Sequence, residues 1–367
     1  MSAFRAARRV LHEAVARVFP CAVVEVGDRS HVLWREACGR LTFDPRAPEA
    51  GDDTVFDLAS LTKVLATTVL AMRMNDRGQL DLDARVADLL PSWGGPERRG
   101  VRIADLLAHS SGLPAHRPFY ETCTGRASYE AAISSEPLEY EPRTRSLYSD
   151  LGFILLGFLL EEVAGEPLDA QFERVRLMLA AGEAPRTDGG APLDIQFGAP
   201  PHAAGRLAPT DADEVRSGEV NDANASALDC VAGHAGLFGT AGAVGAIARA
   251  MLRSVEGAAG GPVLATGPTA ARFTSKAGVP GSSRALGWDT MLPTSSCGTR
   301  MSGRAFGHTG FTGTSLWIDP ASGIYVVQLT NRVYPGGGSA DDITQFRRAL
   351  HDAVMADRRS SNQAGRR

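Results

Sequence analysis

The stretch "FDLASLTKVLATT", residues 56–68, places Lys63 one helical turn after Ser60. The chain contains 38 lysines plus arginines, yet only two of them are lysines, Lys63 and Lys276. Lysine can lose its proton when it is desolvated or lies beside another cation, whereas arginine effectively cannot. A lysine kept at position 63, in a chain that otherwise uses arginine, therefore indicates proton chemistry at this position.

The spacing of Ser60 and Lys63 supports that interpretation, because residues three apart on a helix share one face. A serine hydroxyl is a weak nucleophile until a neighbouring group takes its proton. The start of a helix also favours the negative charge that develops on the serine oxygen. The pattern predicts a nucleophilic serine with a lysine partner. The alternative is a polar helix start, with Ser60 as the N-cap and Lys63 exposed to solvent.

Two further segments carry residues suited to the same chemistry. "YSDLGF" begins at Tyr148, and "GHTGFTG" places His308, Thr309 and Gly310 on a predicted strand near the C-terminus. Taken alone, Tyr148 also fits a core tyrosine, and the triplet fits a strand with a glycine bulge. Their occurrence in this order after "SLTK" favours a catalytic set over a coincidence.

Composition narrows the class of protein. The chain has 367 residues, is 44% hydrophobic and 22% charged, and carries a net charge of −4, which is typical of a globular protein without a basic surface for nucleic acid. The five cysteines are scattered and include no CxxC pair, so we expect no metal site, no disulfide framework and no cofactor. We expect no membrane span either. The N-terminal segment predicts an amphipathic helix and not a signal peptide, which favours a cytoplasmic location.

The order of predicted elements indicates an α+β fold. "CAVVEVGD" and "SHVLWREACGRL" predict two strands near the N-terminus, and residues 60 to about 76 predict a helix. Near the C-terminus, "FGHTGFTGTSLWIDP" and "GIYVVQLTNR" predict a hairpin, followed by a helix over about 341–356. Strands at both ends predict one antiparallel sheet in a single domain of residues 1–367. Its α/β part would comprise about 1–75 and 240–360, with an inserted helical region of about 76–239.

The sequence resembles the serine β-lactamase and penicillin-binding-protein superfamily, specifically its class C branch of esterases, D-stereospecific peptidases and β-lactamases. The resemblance rests on "FDLASLTK", "LLAHSSGLP", "YSDLGF", "VAGHAGLF" and "GHTGFTGTSLWIDP". It implies the β-lactamase/transpeptidase-like fold and an acyl-enzyme formed on Ser60, with Lys63 as its helical partner. Tyr148 matches the tyrosine of a Tyr-x-Asn element, and residues 308–310 match a Lys-Thr-Gly strand. The implied oxyanion hole is formed by the backbone N–H groups of Ser60 and Phe311.

Two positions depart from the family's motifs. Asp150 replaces the asparagine of Tyr-x-Asn, and an ionised carboxylate can only accept hydrogen bonds, so it cannot donate to a substrate carbonyl. A carboxylate near Lys63 also favours the ammonium form, which shifts the role of base toward Tyr148. His308 replaces a lysine, and a histidine near its ordinary pKa is only partly charged at neutral pH. We therefore expect Asp150, His308, Thr309 and Gly310 to bind substrate with weakened selectivity for carboxylates.

These arguments predict a serine hydrolase acting on small-molecule ester, amide or β-lactam substrates, and a carboxylesterase for short-chain or aromatic esters in the first place. A D-alanyl-D-alanine carboxypeptidase, a D-aminopeptidase or a weak class C β-lactamase is the alternative on the same residues. A catalytically idle penicillin-binding or scaffold protein is the alternative outside enzymes. Residues 221–225, "NDANA", are expected to supply polar contacts at the rim of the site, and His109 and His234 to serve in positioning or packing.

Overall fold

The computed structural model describes residues 4–182, 193–212 and 218–364. Its strands are β1 (Cys21–Gly27), β2 (Val32–Gly39), β3 (Phe56–Asp57), β4 (Ile195–Phe197), β5 (Leu237–Gly239), β6 (Asp289–Thr290), β7 (Phe306–Thr309), β8 (Ser315–Asp319) and β9 (Ile324–Thr330). Its α-helices are α1 (Arg5–Ala14), α2 (Thr68–Asp76), α3 (Val86–Leu89), α4 (Ile103–Leu107), α5 (Gly125–Ser135), α6 (Asp150–Ala164), α7 (Leu168–Gly182), α8 (Ala223–Ser226), α9 (Ala241–Glu256), α10 (Gly267–Thr274) and α11 (Ala340–Ala364). A π-helix covers Lys63–Thr67, and 3₁₀ turns cover Phe119–Glu121 and Pro201–Ala203.

The main sheet joins the two ends of the chain, as the sequence predicts. Within the described residues its order is β2-β1-β9-β8-β7-β6, and every pairing is antiparallel. All residues of β1 are buried, because helices cover both faces of the sheet. Val24 packs in the cluster that contains residues of α1 and α11, whereas Val23 packs in the cluster that contains residues of α9. The alternation of side chains along β1 thus divides the core into two layers.

Two strands of a second, smaller sheet, β4 and β5, lie in the region of about 76–239 that was expected to be helical, whereas β3 lies before it. Its order within the described residues is β3-β5-β4, with Phe56 opposite Gly239. Ser60 follows β3 after two residues, so this sheet fixes where its side chain lies. Alternation over these strands is too short to be visible in the sequence, which explains why they were not predicted.

Helix α6 is the buried centre of the helical region. Residues 151–160 are all buried, as expected for the apolar run "LGFILLGFLL", and the helix ends at Gly165 in the left-handed conformation with φ 68°. A Cβ on Gly233 would lie 2.0 Å from the carbonyl oxygen of Phe153 on this helix. Only glycine permits that approach, which brings the segment leading to β5 against the start of α6.

The predicted helix over 60–76 is confirmed from Leu61 onward, and it contains the π-helix, in which the N–H of Thr68 donates to the carbonyl of Lys63. Two other predictions of local structure were wrong. The segment "FGHTGFTGTSLWIDP" is not one strand but the hairpin β7–β8, because Gly310 and Gly313 form a turn. The last helix extends to Ala364 rather than 356. Among the described residues, no helix is long and apolar enough to cross a membrane.

Candidate active site

The turn that carries Ser60 is held in an unusual backbone conformation. Ala59, directly before Ser60, has φ 48°, a left-handed value that costs energy for a residue other than glycine. The buried carboxylate of Asp57 supports the turn by accepting the N–H of Ala59 at 2.8 Å and that of Asn221 at 2.7 Å. Burial raises the pKa of Asp57 to about 6. The turn is therefore positioned by fixed groups before any substrate binds.

Strand β7 and the turn after it pack against the segment of residues 57–60. The hydroxyl of Thr312 donates to the carbonyl of Asp57 at 2.8 Å, and that of Thr314 donates to Leu58 at 3.1 Å. A Cβ on Gly310 would lie 2.7 Å from the Leu58 oxygen and 3.3 Å from Cβ of Ala59. A glycine is thus required at position 310, because the two segments pack too closely there for a side chain.

Lys63 lies beneath Ser60 and is completely buried. Its Nζ donates to Ser60 Oγ at 3.1 Å, to Asp150 Oδ1 at 2.8 Å and to the carbonyl of His234 at 3.0 Å. These three acceptors use all three protons of an ammonium group. The alternative in which Lys63 is exposed beyond an N-cap is wrong, and the predicted contact between Ser60 and Lys63 is confirmed.

The charge of Lys63 is set by its surroundings. Burial lowers the pKa of the Lys63 ammonium, but the Asp150 carboxylate and Tyr148 outweigh burial, so the pKa lies above its ordinary value. Burial also acts to raise the pKa of Asp150, yet Lys63 and His116 hold it well below its usual range. The expectation that Asp150 favours the ammonium form of Lys63 is confirmed.

Tyr148 lies between two cations at the wall of the cleft. Its ring centroid is 4.9 Å from Lys63 Nζ and 5.1 Å from the guanidinium carbon of Arg284. The rings of His109 and His308 also pack against it, with centroids 4.7 and 5.7 Å away. Both cations therefore lie within cation–π distance of the Tyr148 ring.

His308 is neutral in this environment. Its Nδ1 lies 2.8 Å from the Thr309 carbonyl oxygen, which can only accept, so Nδ1 carries the proton and Nε2 is left as an acceptor. Burial lowers the pKa of His308 well below its ordinary value, and the Arg284 and Lys63 cations lower it further. The sequence-based expectation of a partly charged histidine at neutral pH was wrong, because burial of position 308 cannot be seen in the sequence.

Arg284 supplies the positive charge that His308 lacks, and sequence analysis missed it. Its side chain lines the same cavity as Ser60 and Tyr148, and within the described ranges it forms no ion pair. An arginine in "GSSRALGWD" carries no motif signal, and the loop before β6 meets the cleft only through the tertiary fold. A search for arginines without a nearby acidic residue in the sequence would also have returned many others.

The cleft is a cavity of about 660 Å³. Ser60, Tyr148, His308, Thr309 and Gly310 all border it, together with Phe311. The N–H groups of Ser60 and Phe311 donate no hydrogen bond within the described part of the chain, so both are available to an oxyanion. The structure therefore brings the predicted nucleophile, lysine, tyrosine and oxyanion donors to one place.

Residues around the cleft hold the groups of the site in position through hydrogen bonds and ring contacts. The Nδ1 of His109 accepts the N–H of Ser149 at 3.0 Å, and the ring of His109 packs on Tyr148. His234 Nε2 lies 2.9 Å from Asp222, and its carbonyl receives Lys63. Of the predicted rim residues, Asn221 is exposed, Asp222 caps α8 and Asn224 is fully buried in structural hydrogen bonds. In the described residues no group of His, Cys, Asp and Glu is arranged to hold a metal ion.

This fold and this arrangement define a serine hydrolase of the β-lactamase and penicillin-binding-protein superfamily. The chain belongs to the Beta-lactamase family, whose model matches residues 7–350. A protein of Escherichia coli (strain K12), provisionally named D-alanyl-D-alanine carboxypeptidase, is 32% identical over 317 residues, covering 77% of this chain and 70% of its own. The N-acetylmuramyl-L-alanine amidase of Bacillus subtilis (strain 168) is 30% identical over 357 residues, covering 88% and 80%.

Solved structures agree on the fold. EstCE1, described as a hydrolase with promiscuous acyltransferase activity, is similar with a TM-score of 0.73, 23% identity and coverage of 95% of this chain and 98% of its own. A class C beta lactamase from Rhodobacter sphaeroides has a TM-score of 0.70, 21% identity and coverage of 96% and 99%. At these identities the likeness concerns the fold alone.

Proposed function

We propose that the protein forms an acyl-enzyme on Ser60 and cleaves amide bonds in peptide-like substrates that carry a carboxylate near the scissile bond. The observation that supports this proposal is Arg284, a guanidinium without an acidic partner among the described residues, on the wall of the cavity beside Ser60. Guanidinium groups bind carboxylates with paired, charge-assisted hydrogen bonds. The sequence-based preference for esters rested on a weakly charged histidine, and Arg284 restores a permanent charge to the site.

Tyr148 is proposed as the base. The Lys63 ammonium offers Ser60 a hydrogen-bond donor and no acceptor, so the serine proton has to leave by another group. In our proposal the Ser60 oxygen attacks the substrate carbonyl, and its proton is relayed through the Tyr148 hydroxyl, which takes it up as it gives its own proton to the leaving nitrogen. The N–H groups of Ser60 and Phe311 hold the oxyanion. Water then hydrolyses the ester on Ser60 by the reverse proton path.

Amides come first in this proposal because the two relatives described above, a carboxypeptidase and an amidase by name, are named for the cleavage of amide bonds. A carboxylesterase for short-chain or aromatic esters is the second candidate. It is favoured by Asp150, which accepts hydrogen bonds only and offers no donor to the carbonyl of an acylamino side chain. The cytoplasmic location and the division into one domain with a helical insertion stay predictions.

Covalent labelling tests whether Ser60 is the nucleophile. Wild type and Ser60→Ala are treated with a fluorophosphonate and, separately, with a penicillin, and the intact mass is read after each reaction. We expect one fluorophosphonate adduct on wild type and none on the variant. An unlabelled wild type contradicts the enzyme assignment and supports an idle scaffold. Rapid turnover of penicillin contradicts both proposed substrate classes in favour of a β-lactamase.

Removing the charge of Arg284 tests the carboxylate. For Arg284→Gln we expect kcat/KM on a peptide ending in D-alanyl-D-alanine to fall about 10- to 100-fold, the effect of one charge-assisted bidentate contact. Turnover of an uncharged p-nitrophenyl ester should change little. Arg304→Gln, an exposed arginine outside the cavity, is the matched control. Equal losses on both substrates would contradict carboxylate binding by Arg284.

A further inference from the structure

Phe311 presents an apolar ring to solvent at the edge of the cleft. With 68% of its surface exposed, it is the most exposed large hydrophobic residue in the described ranges. Its side chain borders the 660 Å³ cavity that contains Ser60 and also a second cavity of about 380 Å³. Isolated exposed hydrophobic residues are common on protein surfaces, but this ring stands at the junction of two cavities and beside an oxyanion donor.

Arg332 fixes that ring in place. Its guanidinium donates to the carbonyl of Phe311 at 2.8 Å and to that of Gly338 at 3.1 Å, and its central carbon lies 5.6 Å from the Phe311 ring centroid. The same side chain therefore joins the backbone of Phe311, whose ring it also contacts, to the glycine turn that borders the second cavity. Because the platform is already ordered, a ligand that stacks on it loses little free energy to ordering it.

The second cavity offers hydrogen-bonding groups around this apolar ring. Asn221 has its backbone fixed to Asp57, while its exposed side-chain amide forms no hydrogen bond within the described residues. Tyr334 and the glycine turn 336–338 form the opposite wall. A Cβ on Gly337 would lie 1.8 Å from the Arg332 oxygen, so the turn presents bare peptide groups and no side chains there.

We infer that the cleft continues past Phe311 into a subsite for a pyranose sugar ring of the substrate. The C–H face of a pyranose stacks on the electron-rich face of an aromatic ring, and its hydroxyls pair with amide and peptide groups such as those of Asn221 and the turn. A simple alkyl or aryl group would leave the Asn221 amide without a partner.

This inference rests on the proposed acylation of Ser60, and one assay separates the two. The rate of fluorophosphonate labelling of Ser60 is measured in the presence of N-acetylglucosamine and its β-1,4-linked disaccharide. Mannitol is the open-chain polyol control, and benzyl alcohol is the aromatic control. We expect the sugars to slow labelling about threefold at roughly 10 mM, as for a competitor with a Kd of several mM, and the controls to leave it unchanged.

Variants show whether protection acts through the second cavity. Each protection factor is the ratio of labelling rates without and with sugar in the same variant, so a change in the labelling rate itself cancels. Phe311→Ala and Asn221→Ala should each reduce the factor to about one. Leu177→Ala, which removes an exposed hydrophobic side chain on α7 outside both cavities, should retain it.

Three results would overturn the sugar subsite. They are labelling that no sugar slows, labelling that benzyl alcohol slows as much as the sugars, and protection that survives both Phe311→Ala and Asn221→Ala. Wild type that cannot be labelled at all would overturn the proposed function, and the subsite with it.

Discussion

Two buried clusters in this protein use the same three kinds of side chain for different ends. In the cleft, Tyr148 and Lys63 lie with Asp150 beside the 660 Å³ cavity. Between the main sheet and α9, the Tyr325 hydroxyl donates to Glu25 at 2.6 Å. We call the first the cleft cluster.

The second set, named here the brace cluster, consists of Glu25, Arg249 and Tyr325. Arg249 donates to the Tyr325 oxygen at 2.6 Å, and Glu25 is completely buried. Burial raises the pKa of Tyr325 well above its ordinary value, and the Glu25 carboxylate raises it further. In the cleft cluster the Tyr148 ring faces two cations and borders the cavity, whereas in the brace cluster the Tyr325 hydroxyl is held between the Arg249 donor and the Glu25 acceptor. Access to the cavity therefore distinguishes the tyrosine proposed for proton transfer from the one that only stabilises the fold.

The largest difference between the two clusters is expected when the basic residue of each is replaced by the other type, lysine by arginine and arginine by lysine. Lys63→Arg should reduce fluorophosphonate labelling at least ~10³-fold, because a permanently charged, larger guanidinium cannot reproduce three short contacts at a fully buried position. Arg249→Lys should lower the free energy of unfolding by about 1–3 kcal/mol while labelling stays near the wild-type rate. Labelling rates and urea denaturation measure the two effects. Equal loss of labelling in both variants would contradict the distinction between the clusters.

The two tyrosines provide the next test. Tyr148→Phe should slow acylation about 10²- to 10³-fold with little change in stability, because it removes the proposed base. Tyr325→Phe should cost about 1–3 kcal/mol of stability, because the buried Glu25 loses a donor, and should leave acylation near normal. Stopped-flow acylation and thermal unfolding are the measurements. Near-normal acylation by Tyr148→Phe, combined with its loss in Lys63→Ala, would assign the base to Lys63.

A smaller effect is expected from Asp150→Asn, which removes the carboxylate of the cleft cluster, so that only the brace cluster keeps one. The amide regains an N–H donor, so kcat/KM for an acylamino-peptide should rise about tenfold relative to a simple ester. The folded-state pKa of Asp150 lies below its ordinary value, so its ion pair stabilises the fold above about pH 4 and stops doing so at lower pH. The variant should lack that part of the acid-induced loss of stability. An unchanged amide-to-ester ratio would contradict the role given to position 150.

The smallest effects concern two buried neutral histidines. Burial lowers the pKa of His351 in α11 to about 4 and that of His308 in the cleft well below its ordinary value. In the unfolded chain each histidine takes up a proton below about pH 6.5, whereas in the folded protein it stays neutral until its lower pKa is reached. Each histidine therefore reduces the free energy of unfolding as the pH falls from about 6.5 toward the folded pKa, by at most about 1.4 kcal/mol per pH unit. His308→Gln and His351→Gln should each flatten this dependence in urea titrations. Only His308→Gln should also change the pH profile of kcat/KM, and a similar change in His351→Gln would contradict the comparison.

The sequence predicts the features that depend on neighbouring residues and misses those that depend on tertiary contacts. The contact of Ser60 with Lys63 needs only helical spacing, and the sheet formed by both chain ends needs only strand patterns. The charge of His308 depends on burial, and the contribution of Arg284 depends on how the loop before β6 meets the cleft. Neither the burial of His308 nor the approach of that loop can be recognised from the residues beside it in the sequence. The hairpin β7–β8 was missed because the glycines that turn it also fit a bulged strand.

The π-helix at Lys63–Thr67 indicates where this segment can lose a residue. Its wider turn accommodates one residue more than an α-helix would over the same length. Deleting one residue there would restore regular winding while the helix on either side keeps its orientation, whereas deleting one residue from α2 itself would rotate the two sides relative to each other by about 100°. A gap of one residue at the π-helix, in an alignment with a related chain, would therefore mark the loss of the wider turn and not a rotation of the helix face that carries Lys63.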